Sequence, residues 1–228
     1  MISVIIPALN EAAGIRAALS ALQPLRAEGH EVIVADAGSQ DGTAALARDL
    51  ADVVVDAPRG RARQMNAGAA IARGDILLFL HADTVLPGGA ANLVAAGLAA
   101  TGRAWGRFDL HIAGRSRWFP LIAFMINLRS RLTGIATGDQ AIFVSRKKLA
   151  NSIIYDDIPL MEDIALSKRL ARLSPPLCLR ERATTSGRRW EEHGIWRTIV
   201  LMWGLRLRYF LGVPPEQLAK SYVRGADR

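Results

Sequence analysis

The sequence has 228 residues, of which half are hydrophobic and 22% are charged, and its mean hydropathy is +0.16. This composition excludes a disordered chain, a collagen-like fibre and a low-complexity linker. The formal net charge is +8, which predicts an anionic partner. Four of the five tryptophans lie after residue 117 among arginines. This pattern is more typical of a membrane interface than of a base-stacking groove, so we expect no nucleic-acid partner.

The only cysteine, Cys178, cannot form an internal disulfide or a cysteine-based zinc site. A lone cysteine favours a reducing compartment, and we therefore expect a cytoplasmic protein. The first residues are apolar and lack a basic leader region, so they predict a strand rather than a signal peptide. The apolar stretches all fall short of the ~18 residues that suggest a spanning helix, so we expect none.

The first hundred residues alternate between apolar runs and helical spacing. The apolar runs predict strands at residues 3–7, 31–36, 53–55 and 76–80. The helical spacing predicts helices at residues 11–22, 43–50, 62–73 and 87–100. Such alternation is typical of an α/β domain in which helices cover both faces of a mostly parallel central sheet.

The pattern is less regular after residue 101. Polar residues alternate along 105–112, which predicts an antiparallel strand at the side of the sheet. Further predicted elements are a strand at 141–144, a helix at 161–173 and a short strand at 177–179. Residues 187–228 are basic, aromatic and helical in pattern, and we interpret them as a C-terminal extension.

Charged residues gather where the predicted strands end, which is where doubly wound sheets bind ligands. The first two strands are followed by PALNE (7–11) and DAGSQDGT (36–43). The third leads to RGR (59–61) and the fourth to HAD (81–83). An anionic ligand needs arginines or a metal ion to neutralise it, and a metal ion needs carboxylates. Both kinds of residue are present at this edge.

Two aspartates at this edge have alternative interpretations. Asp36 could accept hydrogen bonds from a base or a ribose, or it could belong to a turn capped by Asp41 and Thr43. Asp83 could hold Mg²⁺ or Mn²⁺ through oxygen while substrate phosphates supply the other ligands. It could equally cap the helix that follows Pro87.

Three later motifs also carry reactive groups. Glu162 and Asp163 begin a predicted helix, either as partners of the helix dipole or with one of them as a general base. Asp139 and Gln140 belong to a turn that could also line an acceptor pocket. Residues 188–190 (RRW) could bind diphosphate oxygens through arginine forks and a stacking face, or form a solvated charge run.

Together these motifs resemble the family 2 glycosyltransferases, and the resemblance covers about residues 2–170, with RRW extending it to about 190. It is carried by residues 4–11, 36–43, 60–68, 81–83 and 162–163. The HADT and GDQ motifs and the tryptophan-rich tail are most similar to a small bacterial branch. The resemblance implies a GT-A fold with a Rossmann-like sheet. It divides the chain into a catalytic domain, 1–186, and an extension, 187–228. The domain would have a nucleotide-sugar-binding half, 1–100, and an acceptor half, 101–186.

The resemblance implies inverting transfer of a sugar from a nucleotide diphosphate sugar to a hydroxyl acceptor. Pro7 and Glu11 would border the nucleotide pocket, Asp36 would bind the base, and Arg61 would bind the base or a phosphate. Asp83 would bind the nucleotide through Mn²⁺ or Mg²⁺ as the main metal ligand. In the acceptor half, Asp163 would be the catalytic base with Glu162 supporting it, and Asp139 and Gln140 would contact the acceptor.

Two positions depart from the pattern of the family. His81 stands where the metal motif usually has its first aspartate, and it could ligate the metal or donate to a ribose. Arg189 and Trp190 correspond to the Arg-Trp near the diphosphate in processive relatives. Ser186 replaces the glutamine that opens this motif, which favours transfer of a single sugar over polymer synthesis.

Residues 195–211 form a wide apolar face with arginines at 197, 206 and 208. Such a face can pack onto the domain or lie in a membrane interface, and both interpretations stay open. A lipid-linked acceptor would make surface binding useful, and would place the protein at the inner face of the plasma membrane.

Two other functions are compatible with parts of the sequence. Residues 34–42 resemble a cofactor loop of methyltransferases, although this interpretation leaves 81–83 and 162–163 without a role. The charge and the tail are compatible with a non-catalytic basic scaffold that binds a membrane or a nucleotide on a transferase fold.

Overall fold

One eight-stranded sheet organises the part of the chain that the computed structural model describes. These are residues 1–149 and 154–226, without the side chains of Arg189 and residues 223–226. The strands are β1 (Ile2–Ala8), β2 (Glu31–Asp36), β3 (Val53–Asp56), β4 (Ile76–Phe79), β5 (Thr84–Val85), β6 (Trp105–Ala113), β7 (Phe143–Ser145) and β8 (Leu177–Ser186). Their order in the sheet is β3-β2-β1-β4-β7-β6-β8-β5.

The helices in these residues are α1 (Ala12–Ala21), α2 (Gln23–Ala27), α3 (Thr43–Arg48), α4 (Arg61–Ile71), α5 (Ala90–Thr101), α6 (Phe119–Thr133), α7 (Glu162–Ala171), α8 (Arg188–His193), α9 (Ile195–Phe210) and α10 (Pro215–Ala226). Short 3-10 turns occupy Gly138–Gln140 and Arg146–Lys148. Strands β3, β2, β1 and β4 are mutually parallel, and β7 runs antiparallel between β4 and β6.

Successive residues of β1 face two different cores. Val4 and Ile6 pack with residues of α1, α3 and α5, whereas Ile5 packs with residues of α4 and α7. Helices therefore cover both faces of the sheet, and the strands are apolar on both sides. This arrangement confirms the predicted α/β class with a mostly parallel central sheet.

The second half departs from the predicted elements in two places. The apolar patch at 118–126, for which the pattern predicts no element, lies in α6, because Pro120 falls in the first helical turn where a missing N–H costs nothing. Strand β8 continues to Ser186 instead of ending at residue 179, because it pairs in parallel with β6 along its length. Strand β6 is therefore antiparallel to β7, as predicted, but parallel to β8.

Helix α4 is held close to the sheet by a glycine and a glutamine. A Cβ atom on Gly68 would lie 2.5 Å from Cγ2 of Ile5, so only glycine permits this approach. The buried Gln64 donates from Nε2 to the carbonyl oxygens of Ala8 at 2.8 Å and Ala35 at 3.0 Å. These bonds fix the start of α4, and with it Arg61, beside the carboxyl ends of β1 and β2.

The C-terminal helices pack onto the domain next to the start of α7. Leu205 of α9 and Leu218 of α10 are buried against Met161 and Ile164. One face of α9 thus packs on the domain, while apolar residues of its opposite face are exposed. Within the described residues, no helix combines the length and the apolar character needed to cross a bilayer.

Candidate functional site

The loops that follow β1 and β2 are bonded to each other at the carboxyl edge of the sheet. Backbone amides of residues 10–12 and 40 donate to side-chain oxygens of the facing loop, at 2.8 to 3.0 Å. The four pairs are Asn10 to Ser39, Glu11 to Thr43, Ala12 to Asp41, and Gln40 to Asn10. Pro7 lies just before this junction in β1, opposite Ala35. The predicted nucleotide edge is therefore organised by side-chain-to-backbone bonds.

Asp36 is buried at the end of β2 and stabilises its own turn. Its carboxylate accepts hydrogen bonds from the Gly38 amide at 3.0 Å, the Ser39 amide at 2.9 Å and the Ser39 hydroxyl at 2.5 Å. These contacts agree with the interpretation of this segment as a turn. A nucleotide base would have to bind Asp36 in addition to them.

The end of β4 meets the 3-10 turn through His81. Its Nδ1 atom lies 3.0 Å from Oδ1 of Asp139. On the other side of the ring, a Cβ atom on Gly138 would lie only 2.2 Å from Nε2. Nε2 itself is buried and has no hydrogen-bond partner among the described residues. The ring is therefore enclosed between two residues of the same turn.

Asp163 contacts the same turn from the start of α7, where Glu162 precedes it. The Gly138 amide donates to Oδ2 of Asp163 at 3.1 Å, and the Ile164 amide donates to Oδ1 at 2.7 Å. Glu162 is 4% exposed and pairs through Oε1 with Nη1 of Arg61 at 3.2 Å. The structure thus brings Arg61, Asp139, Glu162 and Asp163 together with His81.

Burial and the charge of Glu162 raise the pKa of Asp163 to about 6, although the Gly138 and Ile164 amides and Arg61 act in the opposite direction. A carboxyl group with this pKa is ionised at pH 7 and is more basic than an ordinary aspartate. The raised pKa of Asp163 is a property that a proton acceptor requires.

Burial, together with the charges of Asp163 and Glu162, also raises the pKa of the Tyr155 hydroxyl well above its usual value.

Unusual backbone conformations border the same segments. Among the described residues, three non-glycine residues have positive φ: Asn10 at 55°, Ala141 at 47° and Met161 at 70°. They lie directly next to Glu11, Gln140 and Glu162 in the chain. Left-handed conformations of residues with a Cβ atom are uncommon and concentrate at functional sites.

Asp83, the predicted main metal ligand, has an exposed carboxylate beyond β4. Its Oδ1 accepts a long hydrogen bond of 3.4 Å from the Thr84 hydroxyl. A group of three or more metal-ligating side chains does not occur in the described residues. An oxygen ligand of this kind fits Mn²⁺ or Mg²⁺ when phosphate oxygens complete the set. His81, the other predicted ligand, contacts Asp139 through Nδ1, while its Nε2 atom has no hydrogen-bond partner among the described residues.

The remaining predicted residues lie in two different surroundings. Gln140 is fully buried, accepts from the Thr137 amide at 3.2 Å and donates to Oδ1 of Asn127 at 3.3 Å. Of the predicted acceptor pair, Asp139 is therefore the residue that is open to solvent. Trp190 packs, partly buried, in an apolar cluster with Phe119. The side chain of Arg189 lies outside the described part of the chain.

Two residues near Asp163 are absent from the sequence predictions. Arg129 of α6 feels the charge of Asp163, and its Nε and Nη2 atoms are buried without a partner in the described residues. Its spacing from Ile122 and Ile126 would place it on one face of a helix, so recognition of α6 would have revealed it. Tyr155 lies in an irregular segment and has no comparable signal.

The sequence model of Glycosyl transferase family 2 matches residues 3–153. This match covers well over half of the chain, which therefore belongs to the family 2 glycosyltransferases. The predicted resemblance and the predicted enzyme class are confirmed, and the methyltransferase and non-catalytic alternatives lose their support.

Two relatives match over shorter stretches. The chain is 38% identical over 91 residues to Glycosyltransferase AglE of Haloferax volcanii, covering 36% of this chain and 30% of that protein. It is 34% identical over 98 residues to the undecaprenyl-phosphate 4-deoxy-4-formamido-L-arabinose transferase of Aeromonas hydrophila, covering 38% of this chain. The matches span 30% of the length of each relative.

Solved structures of glycosyltransferases share the fold. The mannosyltransferase PcManGT from Pyrobaculum calidifontis, in complex with GDP-Man and Mn²⁺, has a TM-score of 0.66 at 20% identity and covers 98% of this chain and 69% of that one. TarS 1-349 from S. aureus, in complex with UDP-GlcNAc, has a TM-score of 0.64 at 17% identity over 81% of this chain and 58% of that one. The predicted GT-A fold is therefore confirmed.

Replacement of Glu162 by Gln should lower the pKa of Asp163 from about 6 toward the ordinary aspartate value of ~3.9, because one of the two causes of its increase is removed. Carboxyl-detected NMR titration measures this pKa directly. Replacement of Glu181, which is exposed on β8, is the matched control. An Asp163 pKa that stays at about 6 in Glu162→Gln would contradict the coupling.

Proposed function

We propose that this glycosyltransferase moves a single sugar from a nucleotide diphosphate sugar to a hydroxyl acceptor with inversion, and that Asp163 is the general base. The observation that carries the proposal is the position of Asp163, a carboxylate of raised pKa held by the Gly138 amide beside His81, Asp139 and Glu162. The nucleotide sugars in the complexes of TarS and PcManGT support this donor class.

The proposed chemistry is a single displacement. The Asp163 carboxylate takes the proton of the acceptor hydroxyl while that oxygen bonds to the anomeric carbon of the sugar. The bond between this carbon and the diphosphate breaks on the opposite face, and the nucleotide diphosphate leaves with the electron pair. Asp139, paired with His81, would contact the acceptor. Glu162 keeps the pKa of Asp163 high and is itself neutralised by Arg61.

The donor is proposed to lie along the bonded loops after β1 and β2. Pro7, Glu11 and Asp36 border this edge, and the half-exposed Arg61 can meet a phosphate. A contribution of Arg189 and Trp190 to the diphosphate remains part of the proposal. Asp83 would hold Mn²⁺ or Mg²⁺, which supplies positive charge against the negative charge that develops on the diphosphate. The Mn²⁺ in the PcManGT complex supports this ion class.

Asp163→Asn should reduce kcat by about 10²- to 10⁴-fold, because the amide cannot accept the hydroxyl proton. Its affinity for the donor should be nearly unchanged, since Asp163 lies on the acceptor side of the scissile bond. Release of nucleotide diphosphate from the donor selected in a binding screen measures the rate, and calorimetry measures the affinity. Asp157→Asn, at an exposed residue paired with Arg63, is the control. Full turnover by Asp163→Asn would remove the base from the proposal.

Asp83→Ala should abolish the gain in nucleotide diphosphate affinity that Mn²⁺ confers. Calorimetry with UDP and GDP, with Mn²⁺ and with a chelator, compares the wild type with this variant. Asp49→Ala, at an exposed residue after α3, should behave like the wild type. A metal effect of equal size in Asp83→Ala and the wild type would show that the ion is held elsewhere.

We further propose that the domain rests on an anionic phospholipid surface. The outward face of α9 exposes an apolar strip, which consists of Trp196, Val200, Trp203, Leu207 and Phe210. A second exposed strip runs along α6, with Leu121, Phe124, Met125, Leu128 and Leu132. The two strips meet at Trp118 and Trp196, whose ring centroids lie 5.3 Å apart.

Charge favours a lipid occupant of this surface over a second copy of the basic chain. Arg117 lies 5.7 Å from the Trp118 ring centroid, and Arg115 is exposed close by. Arginine and tryptophan at the border of an apolar face are typical of interfacial helices. The name of the Aeromonas relative, which includes undecaprenyl phosphate, is in keeping with a lipid-linked acceptor.

The full chain should float with vesicles that contain phosphatidylglycerol and less well with phosphatidylcholine alone. Replacement of both Val200 and Trp203 by Ser should weaken vesicle binding by about tenfold or more, because two buried apolar side chains are lost. Leu173→Ser, at an exposed leucine outside both strips, is the control. Absence of flotation by the wild type, or a dimer that the double replacement dissociates, would contradict lipid binding.

A further inference from the structure

We propose that Arg129 binds an anionic group, a phosphate or a carboxylate, on the acceptor molecule. This inference rests on the proposed function, because it assigns the acceptor a chemical class and a position beside Asp163. The observation that carries it is the half-buried Arg129, whose Nε and Nη2 atoms are buried and have no hydrogen-bond partner among the described residues.

The unpaired atoms form one edge of the guanidinium. The N–H bonds of Nε and Nη2 point in the same direction, which is the geometry of a two-pronged contact with carboxylate or phosphate oxygens. A buried charge without hydrogen bonds is costly, and native structures keep such groups mainly where a ligand completes them. The edge of Arg129 is therefore shaped for an oxyanion that the chain does not itself supply.

Neighbouring arginines show the contrast. Arg107, which is fully buried, and Arg131 both pair with Asp109, and each also donates to a backbone carbonyl oxygen. The Nε atom of Arg107 is itself buried without a partner in the described residues, but the charge of this guanidinium is paired. Asp109 is thus engaged by two other guanidinium groups. Asp163, whose charge acts on Arg129, accepts hydrogen bonds from the Gly138 and Ile164 amides. Arg129 is consequently left as a cation on which the charge of Asp163 acts, with no hydrogen bond between the two side chains.

The position of Arg129 relative to the sheet assigns the anion to the acceptor. Arg129 belongs to α6, which packs on β6, whereas the proposed nucleotide edge lies at β1 and β2. Strands β4 and β7 separate these two parts of the sheet. Asp163 of α7 accepts a hydrogen bond from Gly138, in the turn that follows α6. An anionic group held by Arg129 would therefore anchor the acceptor and direct a neighbouring hydroxyl toward Asp163.

Two further polar atoms near Asp163 are also buried and unpaired. They are Nε2 of His81 and the hydroxyl of Tyr155, which is 1% exposed. His81 packs against Gly138, which donates to Asp163, and Tyr155 is near enough to feel the charges of Asp163 and Glu162. Buried unpaired polar atoms thus occur beside the base, as expected for a site that a polar substrate completes, although Arg107, Ser130 and Arg206 also carry such atoms.

The test measures binding of two anionic probes, glycerol 3-phosphate and glycerate, with glycerol as the neutral control, by calorimetry on the full chain. Arg129→Gln should weaken anionic probe binding by about 10- to 100-fold, the range for loss of charge-assisted hydrogen bonds. Arg129→Lys, which keeps the charge but loses the fork, should retain part of the affinity. Arg131→Gln, on the same helix but paired with Asp109, should bind both probes like the wild type.

UDP and GDP binding in the presence of Mn²⁺ is measured on the same proteins. An equal loss of nucleotide affinity in Arg129→Gln would assign the fork to the donor diphosphate and overturn the inference. Wild-type protein that binds neither anionic probe would also overturn it. Wild-type protein that binds the probes but neither nucleotide would leave this site standing and would count against the proposed function.

Thermal unfolding separates ligand binding from a structural role. Loss of an unpaired buried charge should leave the Tm of Arg129→Gln unchanged or raise it. A lower Tm in both Arg129→Gln and Arg129→Lys would show that the side chain serves the fold, and would overturn the inference.

Discussion

Only glycine fits at position 138 while His81 keeps its position. The Gly138 amide bonds to Asp163, the next residue bonds to His81, and a Cβ atom would lie 2.2 Å from the His81 ring. Three segments that are far apart in sequence, the end of β4, the 3-10 turn and the start of α7, therefore meet through one small residue. The position of the proposed base depends on this contact, whereas the Gly138 amide acts against the increase in the pKa of Asp163.

The parts of the fold that depend on local pattern could be predicted from the sequence. Strands β1, β2 and β4 are apolar on both faces, and the charged motifs that follow them mark one edge of the sheet. Helix α6 could not be predicted, because a proline within a sequence usually indicates a break in a helix, whereas Pro120 lies in the first turn of α6. Arg129 was missed together with its helix. The burial of Gln140 is a tertiary property, since it depends on Asn127 of α6.

The C-terminal extension is amphipathic in a way that the sequence left ambiguous. Both faces of α9 are rich in apolar residues, and only packing shows which of them is used by the domain. Leu205 is buried beside Met161, which precedes the proposed catalytic pair, whereas Trp203 is 67% exposed. The extension thus contacts the segment that leads into the site, and it also presents the surface that we assign to lipid. Proximity of the two faces would keep a membrane-held acceptor near Asp163.

The loops after β1 and β2 bond to each other before any ligand arrives, whereas the acceptor side keeps polar atoms without partners. A preorganised edge loses little conformational entropy on binding, and its tightly shared bonds tolerate few replacements. Residues of α6 carry no comparable constraint toward their ligand. In evolutionary terms, lineages of this enzyme should exchange acceptors more readily than donors, because the acceptor side has fewer shared hydrogen bonds to preserve.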